Sequence, residues 1–203
     1  MKSVFRLLPA ATLALLSLPA LATSVVYTNS VAFLADVAPG QYTENFDGLL
    51  SPPSGPFGFS GGAFNYSASA PSDLYLEGGF LGAAKDNEAL TITFSGGNVR
   101  AIGANFFATD FFDAFQSVSL TLTLSDGTVE TFTPGTQTDS YRGFISDIAI
   151  TSLVISGPGA DNYAGLDNLT VGGVPGGQVP EPAAWSLVGL ALAGLLVTRR
   201  RAA

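Results

Sequence analysis

Apolar and polar residues alternate with a period of two in several short stretches. Leu90 to Phe94 reads apolar, Thr, Ile, Thr, Phe, and Val118 to Leu124 reads Val, Ser, Leu, Thr, Leu, Thr, Leu. Each has one apolar face and one face of hydroxyls, the pattern of an antiparallel strand with one side on a core. Ser125, Asp126 and Gly127 separate the second stretch from Thr128 to Thr133, which predicts a hairpin. Further strands are expected at Ser24 to Thr28, Thr43 to Phe46, Ala63 to Ser67, Leu74 to Leu76, Val99 to Phe107, Ser140 to Ile145, Ile150 to Ile155 and Ala164 to Val171. Turn residues divide them at the intervals of a sandwich.

One short helix is predicted over Val31 to Val37, capped by Asn29 or Ser30, with Val31, Leu34 and Ala35 on one face and Pro39 and Gly40 ending it. Strands with almost no helix must bury their faces against another sheet. The fold class is therefore all-β: a single antiparallel β-sandwich, expected to be a jelly roll, over residues 23–171. An open barrel or a short β-solenoid is the alternative, although no fixed repeat period is present.

The two ends follow other rules. Residues 1–22 begin with Lys2 and Arg6, run apolar from Leu7 to Leu21 and reach small residues at Ala20 and Ala22. That is the layout of a cleaved signal peptide; Pro9 and Pro19 interrupt the run and no basic cluster follows it, against a permanent anchor. Residues 172–178 form a Gly-rich, uncharged linker. Residues 179–203 then carry Val179, Pro180, Glu181 and Pro182, an uncharged stretch from Ala183 to Val197, and Arg199, Arg200 and Arg201. A helix over those fifteen apolar positions is about 22 Å long, short of a hydrocarbon core of about 30 Å. Snorkelling arginines and an interfacial Trp185 extend it to a marginal transmembrane helix with its basic end inside.

Setting the ends aside, the body carries 15 acids against Lys85, Arg100 and Arg142, a net charge of −12. Nucleic acid and anionic membrane surfaces are disfavoured as partners, because both need Lys and Arg to neutralise phosphates. The absence of His and Cys excludes the Ser, His, Asp triad, Cys and His pairs and the usual zinc sites. Gly61 with Gly62, and Gly96 with Gly97, lack the helix and Lys of a phosphate loop.

Val179, Pro180, Glu181, Pro182, the apolar stretch and the terminal Arg cluster together resemble the PEP-CTERM sorting signal of Gram-negative bacteria that make extracellular polysaccharide. The resemblance implies export, transient membrane insertion through the C-terminal helix, cleavage near Pro180 to Pro182 by an exosortase-type processing protease, and delivery to the cell surface or outside it. Thr43 to Gly48, Ser125 to Thr128, Tyr141 to Asp147 and Ala164 to Val171 resemble segments of galactose-binding-like jelly rolls of carbohydrate-binding modules. That likeness implies a structural calcium ion where the opening and closing strands lie together, with Glu44, Asp47, Asp167 and Asn168 as ligands. Calcium takes six to eight hard oxygens, and acidic, His-free surroundings suit it. The alternative is that Asp47 with Gly48 forms a turn and Asp167 ends a strand.

Phe106 to Phe115 interleaves five phenylalanines with Asp110 and Asp113. They do not alternate, so not all can face a core. Asp110, Phe111, Phe112 and Asp113 are candidates for the rim of a ligand site, in which aromatic faces and carboxylate acceptors meet sugar hydroxyls; the alternative is a loop that folds its aromatics back onto the sandwich. No motif selects a pair of carboxylates for glycoside hydrolysis. The expected function is therefore a non-catalytic exported protein of the cell surface or extracellular matrix that binds polysaccharide. A secreted polysaccharide hydrolase and a purely structural matrix component are the alternatives.

Overall fold

In a computed structural model of the chain, residues 24–50 and 55–175 are described. The expected signal peptide, the sorting motif and the C-terminal transmembrane helix lie outside the described residues. In chain order the elements are β1 (Val25–Tyr27), α1 (Ser30–Asp36), β2 (Tyr42–Glu44), β3 (Phe57–Gly61), β4 (Phe64–Ser69), β5 (Leu74–Tyr75) and β6 (Leu81–Ala83). They continue with β7 (Leu90–Ser95), β8 (Ala101–Thr109), β9 (Phe115–Gln116), β10 (Leu120–Leu124), β11 (Val129–Phe132), β12 (Tyr141–Ile145), β13 (Ser152–Ser156) and β14 (Tyr163–Gly172).

The strands form two antiparallel sheets. One runs β1, β12, β8, β14, β6, β5, with β2 also paired to β14 and β9 to β8; the other runs β11, β10, β13, β7, β4, β3. The two-residue period assigns their faces. On β8, Ile102, Ala104, Phe106 and Ala108 enter one core with Ala164, Leu166, Leu169 and Val171 of β14. From the other sheet come Tyr66, Ile92, Phe94, Leu120, Leu122, Leu153 and Ile155. Tyr66 stacks on Phe59 at 5.0 Å, and Phe46 meets Phe59 edge-on at 5.5 Å.

The alternating stretches are strands, and Ser125 to Gly127 closes the β10–β11 hairpin with Gly127 at φ 95°. Other expectations need correction. The strand expected over Thr43 to Phe46 ends at Glu44, because Glu44 Oε1 accepts from the Phe46 amide and Phe46 turns to φ 56° to put its ring in the core. The strand β3 is not legible as one, since its apolar face is only Phe57 and Phe59 before Gly61, and its other face is Gly58 and Ser60. Gly172 belongs to β14 and the Gly173 carbonyl accepts from Ala38 N at 3.0 Å, so the first linker residues are part of the body.

Helix α1 is capped by Asn29, whose Oδ1 accepts from Ala32 N at 3.0 Å. Its buried face is not the expected one: Val31 and Leu34 are 75% and 40% exposed, while Phe33 and Val37 are buried. The reason lies in the sheet. Gly103 and Gly143 are paired on β8 and β12, and Gly172 lies on β14. A Cβ on Gly143 would stand 2.6 Å from the Phe33 ring, one on Gly103 2.9 Å from it, and one on Gly172 2.6 Å from Val37. Three bare backbone positions thus form the floor on which Phe33 and Val37, one helical turn apart, sit.

Two polar ties hold the sheets together at one edge. Arg142 of β12 lies 3.9 Å above the Phe132 ring of β11 and pairs with Glu130 at 3.3 Å. Asp126, in the β10–β11 turn, accepts from Ser24 Oγ at 2.6 Å, Ser146 Oγ at 2.7 Å and the Thr128 amide at 2.9 Å. Burial pushes the Asp126 carboxyl up, but these hydrogen bonds outweigh it and hold the group below its ordinary value.

Two outcomes are expected in denaturant melts. Gly143→Val should cost about 1–3 kcal/mol by overpacking against Phe33, whereas Gly135→Ala, with open space around it, should be neutral. For Asp126, the depressed folded pKa means stability that is present above the unfolded value of 3.8 and lost as pH falls through the folded one. Asp126→Asn should therefore be less stable than wild type at neutral pH and should lose less on acidification.

Candidate functional site

The outward face of β8 and β14 carries the rest of the side chains with chemistry. Asp167 pairs with Asn105, Gly165 with Phe107 and Tyr163 with Thr109. Beyond the helix floor, this face presents Asn105, Phe107 and Thr109 in succession, two residues apart. Phe107 packs edge-on against Phe80 at 5.3 Å, and Phe80 against Tyr75 at 5.5 Å. Gly165 and Gly82, adjacent on β14 and β6, leave room for the Phe80 ring, which a Cβ on either would meet at 3.1–3.2 Å.

At the end of β8 the chain turns into β9. Asp110 N donates to Ala114 O at 2.9 Å, Asp113 N to Asp110 O at 3.1 Å, and Asp113 takes φ 62°, the left-handed residue such a three-residue hairpin needs. Asp110 builds this loop with its carboxylate: Oδ1 accepts from the amides of Phe112 at 2.9 Å and Ala114 at 3.1 Å, and Oδ2 from Gln116 at 3.1 Å. Asp113 accepts from the Tyr75 hydroxyl at 2.7 Å, and that bond together with burial and the Asp113 and Glu77 charges pushes the Tyr75 phenol up to about 12.

With both aspartates holding the loop, Phe111 and Phe112 are turned into solvent, 76% and 85% exposed, their rings edge to face at 5.5 Å. They do not fold back onto the sandwich. Beside Phe111 is a cavity of about 90 Å³ walled by Tyr75, Phe80, Tyr163 and Thr109, with Asp110 and Asp113 at its edge. A second, polar cavity of about 160 Å³ lies between Asn105, Phe107, Gln137, Thr138, Asp167 and Asn168. The expected rim residues are thus brought together, with different roles: Asp110 shapes the loop, Asp113 orients Tyr75, and Phe111 and Phe112 project. Tyr75 and Tyr163 come from β5 and β14 and Phe80 from the turn before β6, and no sequence spacing announced them.

The four candidate calcium ligands are divided. The opening strand β2 does pair with the closing strand β14. Glu44, however, lies opposite core-facing Leu169, and directly opposed residues share a face. Its carboxylate accepts from the Tyr42 hydroxyl and the Phe46 amide, and with burial it pushes the Tyr42 phenol up to about 12. Asp167 lies on the outward face, before a bulge formed at Asn168 with φ 54°, and takes both the amide and the side-chain Nδ2 of Asn168 at 2.6 and 2.9 Å. Asp47 is near enough for its charge to act on Asp167. Among the described residues no three acidic side chains converge as a metal shell would require, so this quartet does not fit calcium as one site.

These features define a two-sheet β protein with an exposed aromatic loop beside one shallow cavity and a second cavity elsewhere on the same face. A family model for the PEP-CTERM protein-sorting motif matches residues 178–201. The chain is thus an exosortase substrate, exported, transiently anchored in the membrane through its C-terminus and then delivered to the cell surface or outside it. No curated protein and no solved structure matches the chain, and the likeness of the body to carbohydrate-binding jelly rolls is without support from these comparisons.

Burial pushes the Asp167 carboxyl up, the Asn168 amide draws it back, and the Asp47 charge raises it further. The folded state then holds the proton more tightly than the unfolded one, so stability falls as pH rises from the unfolded value of 3.8 through the folded one. Asp167→Asn should therefore raise Tm at neutral pH and give no gain at about pH 3. Calcium added to both proteins tests the ion directly: a rise in Tm confined to the wild type would place it between Asp47 and Asp167.

Proposed function

We propose that the body is a non-catalytic, glycan-binding jelly roll that the sorting tail delivers to the cell surface or matrix. The observation that carries this reading is the exposed Phe111–Phe112 pair beside a cavity walled by Tyr75, Phe80 and Tyr163. Exposed aromatics cost free energy in water unless something covers them. The faces of sugar rings cover them, while Asp113 and Thr109 accept from hydroxyls. Binding rather than hydrolysis fits Asp110, whose oxygens already accept three hydrogen bonds from its own hairpin. The jelly-roll description rests on the chain's passage between sheets: β7, β10, β11 and β13 lie in one, β8, β12 and β14 in the other.

The test is affinity electrophoresis of the purified full-length protein in gels containing a neutral glucan, an acidic alginate or a chitosan. Retention by at least one polymer is expected. Phe111→Ala/Phe112→Ala should weaken it about tenfold, a loss of about 1.4 kcal/mol, with Tm unchanged. Free mobility in all three gels would defeat the proposal, and release of oligosaccharide would replace it with a hydrolase.

A further inference from the structure

The geometry points to Asp126 as the docking site of the chain's own mature N-terminus. Once the signal peptide is cut after Ala22, the α-ammonium of Thr23 pairs with the Asp126 carboxylate and fastens the two sheets where their end strands β1 and β11 lie. This inference rests on that cleavage and is independent of the glycan-binding reading.

The chain enters the body at this carboxylate. Ser24, the residue after Thr23, donates from its amide to Thr128 Oγ1 at 2.9 Å and from its hydroxyl to Asp126 Oδ2 at 2.6 Å. Thr23 is thus one Cα step, about 3.8 Å, from a residue in direct contact with Asp126. The receiving turn is held by its own bonds. The Thr128 amide donates to Asp126 Oδ1 at 2.9 Å and Ser146 Oγ to Oδ2 at 2.7 Å. Gly127 N donates to the Leu124 carbonyl at 3.1 Å, and Leu124 N to the Thr128 carbonyl at 2.9 Å.

What this carboxylate needs is a counter-charge. Asp126 is only 9% exposed. Burial pushes its carboxyl up, yet the hydroxyls and amide around it hold it below its ordinary value, so it is ionised at neutral pH. Burying a charge costs free energy that hydrogen bonds offset in part and an opposite charge offsets further. Among the described residues no base supplies that charge. Arg142 pairs with Glu130 at 3.3 Å, and Arg100 donates to the Asp147 carbonyl at 2.7 Å. Lys85 follows β6, separated from β1 by β12, β8 and β14. The other ionisable groups on the elements around β1 are Asp147 after β12 and Asp36 of α1, which accepts from the Tyr27 hydroxyl. In the uncut precursor the Thr23 nitrogen is a peptide amide without charge. Cleavage turns it into a cation beside Asp126, so processing completes a tie between the sheets that the precursor lacks.

Alkaline pH tests the pair, because the chain has no His and no Cys and an α-amine is then the one group whose ordinary value lies near about 8. A carboxylate partner makes the folded state hold that proton more tightly than the unfolded one. The stability it adds is complete below about pH 7.7 and lost as pH rises through the folded value. Mass spectrometry of the exported, processed protein should show a chain beginning at Thr23. Its Tm should fall by about 2–4 °C between about pH 7 and about pH 9.5. A variant with Gly-Ser inserted between Ala22 and Thr23, exported in the same way, carries the same amine two residues further out and should show a flat profile over that range. Asp126→Asn should also be flat, from a lower Tm at neutral pH. A mature chain that begins elsewhere, or an alkaline fall equal in wild type and insertion variant, would overturn the inference. A fall that persists in Asp126→Asn would give the amine another partner and overturn it as well.

Discussion

The antiparallel pairing of β8 with β14 is the contact on which the rest of the molecule depends. These are the two longest strands, joined from Tyr163 opposite Thr109 to Gly172 opposite Ala101, with one irregularity between Asp167 and Thr170. Every other strand of that sheet attaches to one of them directly or through a single neighbour. Each face has a separate task. Ile102, Ala104, Phe106 and Ala108 with Leu166, Leu169 and Val171 face the core, so changes there are felt as packing losses. The opposite face carries glycines at one end, where α1 docks, and polar and aromatic groups at the other.

That division explains what the amino-acid sequence disclosed and what it hid. Strands with clean alternation, such as Leu90–Ser95 and Leu120–Leu124, are legible because one face is apolar and the other hydroxylated. The hairpin at Ser125 to Gly127 is legible because its glycine is required by the backbone. The buried face of α1 is not, since Val31 and Leu34 are as apolar as Val37, and the choice is made by Gly103, Gly143 and Gly172 far along the chain. Propensity and periodicity cannot register a partner of that kind. The candidate site divides in the same way: Asp110 to Asp113 are contiguous and could be named, while Tyr75 and Tyr163 arrive through pairing of separate strands and Phe80 through the turn that joins β5 to β6.

The calcium quartet illustrates the limit of reasoning by adjacency of strands. Glu44 and Asp167 do belong to paired strands, yet pleating sends their carboxylates to opposite sides of one sheet. A one-residue difference in phase is enough for this. What survives is Asp47 near Asp167, a like-charged pair whose repulsion adds to burial in raising the Asp167 carboxyl. Such a pair is unfavourable for the folded state unless a cation or a donor from a ligand stands between them.

The sorting tail and the acidic body are consistent with one another in charge. The matched motif ends in a cluster of arginines at residues 199–201, while the body holds only three bases. Basic residues retained next to a membrane segment favour the cytoplasmic side, and an acidic, base-poor domain is not held to anionic headgroups once outside. The same charge that disfavours lipid phosphate disfavours acidic polymers as the ligand proposed for Phe111 and Phe112. Two phenylalanines held outward by a loop whose own carboxylate fixes the turn are an apolar contact set in an anionic field, and on the proposed reading that combination disfavours a ligand carrying carboxylates along its length.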